Sequence, residues 1–254
     1  MDKLTFQNTK KLYHYTSVCA AMKIIVSKTL IFGKPQQMND INEVYRRIFY
    51  AQEDDYAKIK REFNRYRQLS LTNDNAPRDG YDIPAMWGHY AEKGNGVCLV
   101  LDKQKLLSCL TADMWHESIR YDQNYDSSIM APKRNIARYF KTHKDEIFFT
   151  KTGDWAYEQE FRVVARLGGE AEEPLKLDFK DSLMAVIFNF AQDVPNDQCV
   201  FDSVNVKAIE KIAPDLPILE FGYWDGKANL RGQSDNGDWS TGGIDRNTVQ
   251  LDMD

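Results

Sequence analysis

A run of five apolar residues at positions 97–101 constrains the fold more than any other segment of this chain. Because neighbouring side chains on a strand point to opposite sides of the sheet, a strand that is apolar at every position is buried on both faces. We therefore predict a central strand here. The chain has 254 residues, of which 43% are hydrophobic, and this is enough to build a sizeable core around such a strand.

Shorter patterns on either side of this run predict the remaining elements. Alternating or β-prone runs predict strands at residues 12–16, 30–32, 68–72, 116–121, 155–166, 183–190 and 217–221, and helical spacing predicts helices at residues 18–26, 44–67, 86–92, 127–146 and 195–209. Ser17 is the expected N-cap of the first helix. This order predicts one α+β domain over residues 1–224, with a mixed, largely antiparallel sheet, whole or split in two, flanked by helices.

The last thirty residues differ in composition from the rest. Residues 225–254 hold five glycines and six aspartates against three basic residues, with little apolar periodicity. We predict a loosely ordered acidic tail. An alternative is that this segment binds a partner or covers the protein's own surface, with Trp239 and Leu251 as apolar anchors.

Net charge, apolar content and the absence of known motifs argue against several classes of protein. The net charge of −5 is too small, and the apolar fraction too large, for a disordered chain, and no run approaches the ~20 apolar residues of a membrane-spanning helix. Two stretches are locally basic, at residues 58–67 and 133–144, and each is either a solvated helix face or a surface for a polyanion. The sequence has no GxSxG, Walker, HExxH or GxGxxG motif, which leaves serine-hydrolase, P-loop and zinc-peptidase interpretations without support.

The four cysteines lie too far apart in sequence to form a zinc site or a redox pair, and we expect reduced, mostly buried thiols. The first residues lack the charged and apolar regions of a secretory signal. A cytoplasmic location is the resulting expectation.

Two glutamates on the predicted strand at residues 155–166 are the strongest candidates for chemistry. Residues two apart on a strand share one face, so Glu158 and Glu160 would lie with their Cα atoms about 6.6 Å apart. One interpretation is a solvent-exposed face that Arg162 and Arg166 neutralise. The other is a pair of carboxylates in a cleft, where they stabilise positive charge developing on a sugar.

Other candidates are a histidine, two tyrosines and two hydroxyl residues. His14 is either a satisfied polar residue of the first strand or a ligand of a ribose hydroxyl. Tyr15 and Tyr90 either pack in the core or stack on a planar ring. Ser70 and Thr72 place two hydroxyls on one strand face, a weak signal by itself.

Five segments, in this order, resemble an uncharacterised bacterial family, domain of unknown function 2971 (DUF2971). They are LYHYT at residues 12–16, the stretch from Phe32 to MNDINE at residues 38–43, SLT at residues 70–72, MWGHY at residues 86–90 leading to GVCL at residues 96–99, and WAYEQEFR at residues 155–162. The resemblance covers about residues 11–222 and excludes the tail. Ile41 stands where we expect the family to favour proline.

The order of these segments also resembles that of ADP-ribosyltransferases, which implies an ADP-ribosyltransferase-like fold and a use of NAD as substrate. Under this resemblance His14 holds the NAD ribose. Glu160 contacts the ribose 2′-hydroxyl and stabilises the oxocarbenium ion, and Glu158 orients the acceptor nucleophile. The supporting residues would be Ser70 or Thr72, which brace the site, and Tyr15 or Tyr90, which stacks on nicotinamide.

The function that the resemblance implies is NAD-dependent ADP-ribosylation of a macromolecule, either protein or nucleic acid, by a bacterial toxin or phage-defence effector. Three alternatives remain open. The first is a non-catalytic nucleotide or nucleic-acid binding module. The others are a nuclease that holds a divalent metal with Glu158, Glu160 and Asp40, and a defence protein that acts through interactions alone.

Overall fold

The computed structural model describes residues 3–44, 48–49, 53–126, 129–130, 135–169, 174–189, 203–224, 227–232 and 235–238. The helices are α1 Lys3–Asn8, α2 Val18–Ser27, α3 Ile41–Val44, α4 Glu53–Phe63, α5 Pro84–Tyr90, α6 Lys103–Ser108, α7 Ile136–Thr142, α8 Lys144–Phe148 and α9 Val204–Ile212. The strands are β1 Lys11–Thr16, β2 Thr29–Ile31, β3 Ile48–Phe49, β4 Tyr66–Asn73, β5 Val97–Asp102, β6 Trp115–Ser118, β7 Arg120–Asp122, β8 Ile129–Met130, β9 Thr150–Thr152, β10 Glu160–Arg166, β11 Lys176–Asp178, β12 Leu183–Asn189, β13 Ile218–Trp224, β14 Lys227–Gly232 and β15 Asp235–Asp238. Short 3₁₀ turns occupy Pro35–Gln37, Glu92–Gly94 and Gly153–Glu158.

The chain divides into two compact units, each made of several segments. Unit 1 comprises Met1–Thr29, Leu71–Cys109 and Asp178–Asp254, and unit 2 comprises Leu30–Ser70 and Leu110–Leu177. The chain passes from unit 2 back to unit 1 within β4.

Unit 1 is built on a mixed sheet. The strand order in this unit is β15, β14, β13, β12, β5, β1 and the end of β4. The pair of β12 and β13 is parallel, and the other neighbours in this series are antiparallel. The predicted α+β class and the mixed, largely antiparallel sheet are therefore confirmed.

The core of unit 1 surrounds β5, as its apolar run predicts. Val97 through Leu101 are fully buried, between β1 on one side and β12 on the other. Helices α2 and α9 pack against this sheet with apolar faces. Both helices begin with a serine cap: Ser17 accepts from the Ala20 N–H, and Ser203 accepts from the Val206 N–H.

Unit 2 has its own core, formed by aromatic side chains. The ring of Tyr66 on β4 lies against the rings of Phe140 on α7 and Phe148 on α8, with centroids 5.6 and 4.6 Å away. Phe63, at the end of α4, stacks on Phe148. Strand β10 pairs antiparallel with β6, and two short parallel pairs join β3 to β8 and β7 to β9.

The two long predicted helices are interrupted. A helix over residues 44–67 is wrong, because β3 separates α3 from α4 and β4 begins at Tyr66. A helix over residues 127–146 is also wrong, because Ile129 and Met130 form β8 and pair with Ile48 and Phe49. The composition of these segments is typical of helices, but short strands form there because they pair with residues far apart in sequence. No local sequence pattern predicts such long-range pairing.

Part of the segment predicted as a loose tail belongs to the sheet of unit 1. Strand β14 pairs with β13 along its whole length, from Leu219 opposite Gly232 to Trp224 opposite Lys227. The candidate anchors Trp239 and Leu251 lie outside the described residues, as do residues 195–202 of the predicted last helix. Among the described helices, none combines the length and the apolar character needed to cross a membrane.

Candidate functional site: a buried carboxylate cluster and an aromatic cavity

The two candidate glutamates are neighbours in sequence but not on one strand. Residues Gly153–Glu158 form a 3₁₀ turn, Gln159 adopts a left-handed conformation with φ of 48°, and β10 begins at Glu160. The predicted strand over residues 155–166 is therefore wrong before residue 160. Glu158 therefore lies in the turn, outside the strand that carries Glu160.

A lysine joins the two carboxylates. The Lys151 ammonium on β9 lies 2.6 Å from Glu158 Oε2 and 2.8 Å from Glu160 Oε2. All three side chains are at most 6% exposed. The solvent-exposed interpretation of this glutamate pair is therefore wrong, and sequence patterns gave no sign of Lys151.

An arginine completes the cluster from the next inward position of β10. Arg162 donates from Nε to Glu160 Oε1 at 2.7 Å and from Nη2 to Glu160 Oε2 at 2.9 Å. Its Nη1 donates to the Phe148 carbonyl and forms an ion pair with Glu43 from α3. We call these five residues, Glu43, Lys151, Glu158, Glu160 and Arg162, the carboxylate cluster.

The charges of this cluster stabilise one another. Burial alone would raise the pKa of the Glu160 carboxyl, but Arg162 and Lys151 outweigh it and hold that pKa well below its ordinary value of 4.5. Burial would likewise lower the pKa of the Lys151 ammonium, yet Glu160, Glu43 and Glu158 raise it above its ordinary value of 10.5. Glu160 is therefore ionised at neutral pH, with both carboxylate oxygens accepting hydrogen bonds from cations.

Most of the other predicted site residues lie in unit 1. His14 on β1 is half-buried, opposite Leu99 of β5. Tyr15 is 6% exposed, and its hydroxyl donates to the Gly80 carbonyl at 2.6 Å. Its ring meets the edge of Trp87 at 5.2 Å, so it packs in the core.

The remaining candidates are divided between the two units. Thr72 is 1% exposed and pairs with Tyr13 across the sheet of unit 1. Tyr90, also in unit 1, is half-buried at the end of α5, beside His89. Ser70 is half-buried in unit 2. Glu158 and Glu160, by contrast, meet at a common side chain, that of Lys151.

Unit 1 contains a cavity that the sequence did not reveal. Its volume is about 360 Å³. It is lined by Pro84, Trp87, Gly88, Lys93, Gly94, Asn189, Phe221, Gly222 and Tyr223. These residues come from α5, the turn that follows it, and the ends of β12 and β13.

Aromatic rings form much of the cavity wall. Trp87 and Phe221 stack with an interplanar angle of 9° and centroids 5.7 Å apart, and the Trp87 indole N–H donates to the Tyr81 carbonyl. Tyr223 lies edge-on to Phe221, is 41% exposed, and donates its hydroxyl to Asp82. Flat apolar walls whose polar atoms are already paired are suited to a flat ligand ring.

The turn after α5 brings a cation to this cavity at a conformational cost. Glu92 and Lys93 are consecutive non-glycine residues with positive φ, of 48° and 57°, and Gly94 follows with φ of 94°. A left-handed conformation costs roughly 1–2 kcal/mol at each residue other than glycine. Such strain is concentrated at functional sites, and here it accompanies an exposed lysine at the cavity wall.

Two glycines keep the cavity open. A Cβ on Gly88 would have no atom within 4 Å, and a Cβ on Gly94 would lie 3.1 Å from Asn189 Nδ2. The cavity lining therefore includes open space beside Gly88 on α5 and a side-chain amide close to the backbone at Gly94. The sequence pattern located Trp87 and Gly88 on a helix but gave no sign that residues 189 and 221–223 would join them.

The acidic residues do not support the nuclease alternative. No group of three or more His, Cys, Asp or Glu side chains within the described ranges has the arrangement of a metal site. Asp40 is 1% exposed, and its Oδ1 accepts from the Asn42 N–H. Glu158 and Glu160 bind Lys151 instead.

The basic stretch at residues 58–67 exposes fewer basic side chains to a polyanion than its sequence suggests. Arg67 is 3% exposed and donates to the carbonyl oxygens of Asn64 and Tyr66. Arg65 donates to the Leu167 carbonyl. These two side chains stabilise the local backbone, so the exposed basic face is smaller than the stretch at residues 58–67.

No curated protein and no solved structure matches this sequence. A family model does match, over a segment that contains most of α5, the turn that follows it, and four members of the carboxylate cluster. Residues 86–163 match the family described as protein of unknown function (DUF2971), which confirms the predicted resemblance to that family over this part of the chain.

Proposed function

We propose that this protein binds a nucleotide in the cavity of unit 1. The observation that carries the proposal is the combination of stacked aromatic walls with Lys93 at the end of a strained turn. A base would pack against the exposed ring of Tyr223, which Phe221 supports from behind, and a phosphate would meet the Lys93 ammonium. The open backbone at Gly88 leaves the room that a ring needs.

The proposal is tested by titrating the full chain with AMP in a calorimeter. We expect saturable binding to the wild type and none to Gly88→Leu, because Gly88 lines the cavity and a Cβ there has no atom of the protein within 4 Å, so a larger side chain could occupy the ligand's space. Gly169→Leu is the matched control, since its Cβ also has no atom within 4 Å and it lies in a loop of unit 2. Equal binding by both variants, or none by the wild type, would contradict the proposal.

A second pair of variants tests the phosphate contact. Lys93→Ala is expected to weaken AMP binding by about tenfold, since a hydrogen bond to a charged group is worth ~1.5–3 kcal/mol. Lys23→Ala removes an exposed lysine of α2 in the same unit and should leave the affinity unchanged. An equal loss in both variants would mean that the attraction is a general charge effect.

A second candidate function is ADP-ribosyl transfer from NAD to a macromolecule, in a fold of the ADP-ribosyltransferase type. It is favoured by one observation: the carboxylates of the two glutamates both contact the Lys151 ammonium and so lie close together. In this reaction the bond from the ribose C1′ to nicotinamide breaks and nicotinamide leaves with the electron pair. The acceptor nucleophile then bonds to C1′ and gives its proton to Glu158, while Glu160 stabilises the oxocarbenium ion.

The surroundings of Glu160 make ADP-ribosyl transfer less favourable than nucleotide binding in unit 1. Both of its oxygens already accept hydrogen bonds from Arg162, and one also contacts Lys151. A ribose hydroxyl would have to replace one of these cations in a site where Glu160 is 3% exposed. We therefore rank nucleotide binding first.

Nicotinamide release separates the two candidates. If transfer occurs, the wild type and Glu117→Gln, a variant of a half-exposed glutamate on β6, release nicotinamide from NAD in the presence of lysate, and Glu160→Gln does not. No release by the wild type would exclude transfer to any acceptor in that lysate, whatever the stability of the Glu160 variant.

A further inference from the structure

We propose that the base bound in the cavity is adenine, in a ligand of mononucleotide size, and that Asn189 selects it. The inference rests on the proposed function, because it names the ligand of the same site. It depends on three features of the cavity: its volume, the chemistry of the side chains in its wall, and the position of the Asn189 amide.

The volume sets the size of the ligand. Small-molecule sites span roughly 300–1,000 Å³, and about 360 Å³ lies near the lower end of that range. Such a cavity has room for about one ring system with an attached anionic group. A dinucleotide such as NAD would extend beyond it.

The polar side chains in the wall determine which ring edge is recognised. The Lys93 ammonium can only donate, and the Tyr223 hydroxyl donates to Asp82. The Asn189 amide carries both a donor and an acceptor. Adenine offers the complementary pair at N7 and the N6 amine, whereas guanine offers two acceptors at N7 and O6.

Gly94 keeps the Asn189 amide at the wall. A Cβ at Gly94 would lie 3.1 Å from Asn189 Nδ2, which is closer than ordinary van der Waals contact. The positive φ of Gly94 also disfavours any side chain at this position. The turn at Gly94 and the end of β12 are therefore close enough that the Asn189 amide fills the space beside Gly94.

The test compares AMP, GMP and two AMP analogues on the wild-type protein. We expect AMP to bind at least about tenfold more tightly than GMP, as one two-point contact to a base edge provides. 7-Deaza-AMP, which lacks the N7 acceptor, and purine riboside monophosphate, which lacks the N6 amine, should both lose a similar factor. Equal affinities for AMP, GMP and both analogues would overturn the inference while leaving nucleotide binding intact.

The matched variant is Asn189→Asp, which replaces the amide with two acceptors of the same shape. Aspartate is complementary to the two donors of guanine at N1 and N2, so the preference should shift from AMP towards GMP. An unchanged preference in this variant would overturn the role of Asn189. Absence of binding by either nucleotide to the wild type would overturn the proposed function together with the inference, which is a distinct result.

Discussion

Glu160 and Arg162 form a two-point ion pair between alternate residues of one buried strand. The carboxylate and the guanidinium meet through contacts of 2.7 and 2.9 Å, and both side chains are at most 3% exposed. Since Arg162 also binds Glu43, one guanidinium compensates two buried carboxylates. This side chain is therefore central to the stability of unit 2.

Replacing Arg162 with methionine should lower the free energy of unfolding by about 3–5 kcal/mol, because it leaves buried carboxylates without their partner. Arg138→Met, on the exposed face of α7, is the control and should change the stability by less than about 0.5 kcal/mol. Urea unfolding monitored by circular dichroism measures both. A loss below about 1 kcal/mol for the Arg162 variant would show that the ion pair is dispensable.

The depressed pKa of Glu160 predicts a dependence of stability on pH. Its folded-state pKa is below the unfolded value, so its contribution is complete above the ordinary pKa of 4.5 and is lost as the pH falls below that value. The difference in unfolding free energy between the wild type and Glu160→Gln should therefore be largest near pH 7 and shrink towards pH 3. A difference that stays constant between pH 7 and pH 3 would contradict the claim that Glu160 is ionised in the folded protein with a lowered pKa.

Two glycines of unit 1 should respond oppositely to alanine. Gly96→Ala should destabilise by about 1–3 kcal/mol, because the new Cβ would overlap the Thr16 carbonyl oxygen and lie 2.8 Å from the Ala91 carbonyl carbon. Gly88→Ala lies within α5 with open space at its Cβ and should stabilise by about 0.5–1 kcal/mol. Thermal unfolding measures whether each variant melts below or above the wild type. A shift of the melting temperature in the same direction for both variants would contradict the different surroundings of the two glycines.

Thiol reactivity should follow burial. Cys19 on α2 is exposed, whereas Cys98 on β5 is fully buried, and burial raises the pKa of its thiol well above the ordinary value of 9.0. Iodoacetamide at pH 8 should therefore modify Cys19 and leave Cys98 unmodified until urea is added. Peptide mass spectrometry distinguishes the two sites, and rapid modification of native Cys98 would mean that β5 is not the buried centre of its sheet.

The sequence predicted elements whose signals are local. The apolar run at residues 97–101 and the Ser17 cap needed only neighbouring residues, and both were confirmed. The turn at Gly153–Glu158 was missed. It ends at Gln159, which has a positive φ, and glutamine is not a residue type that predicts a positive φ.

Sites assembled from distant segments were beyond sequence reasoning. The pair Glu158 and Glu160 was visible as a motif, but its burial depends on Lys151 and Glu43, which no spacing rule connects to it. The cavity likewise joins Trp87 to Phe221 across more than a hundred residues. Tertiary packing, not local pattern, decides whether such side chains meet.

The most direct test of the central claim is photolabelling with 8-azidoadenosine monophosphate, followed by mapping of the modified peptide. The claim predicts that the label lies on peptides containing α5 and its turn or the end of β13, at residues 84–94 or 218–224, and that excess AMP removes it. Label that AMP removes from the peptide holding Trp155 and Tyr157 beside the carboxylate cluster would contradict the claim and transfer the site to unit 2.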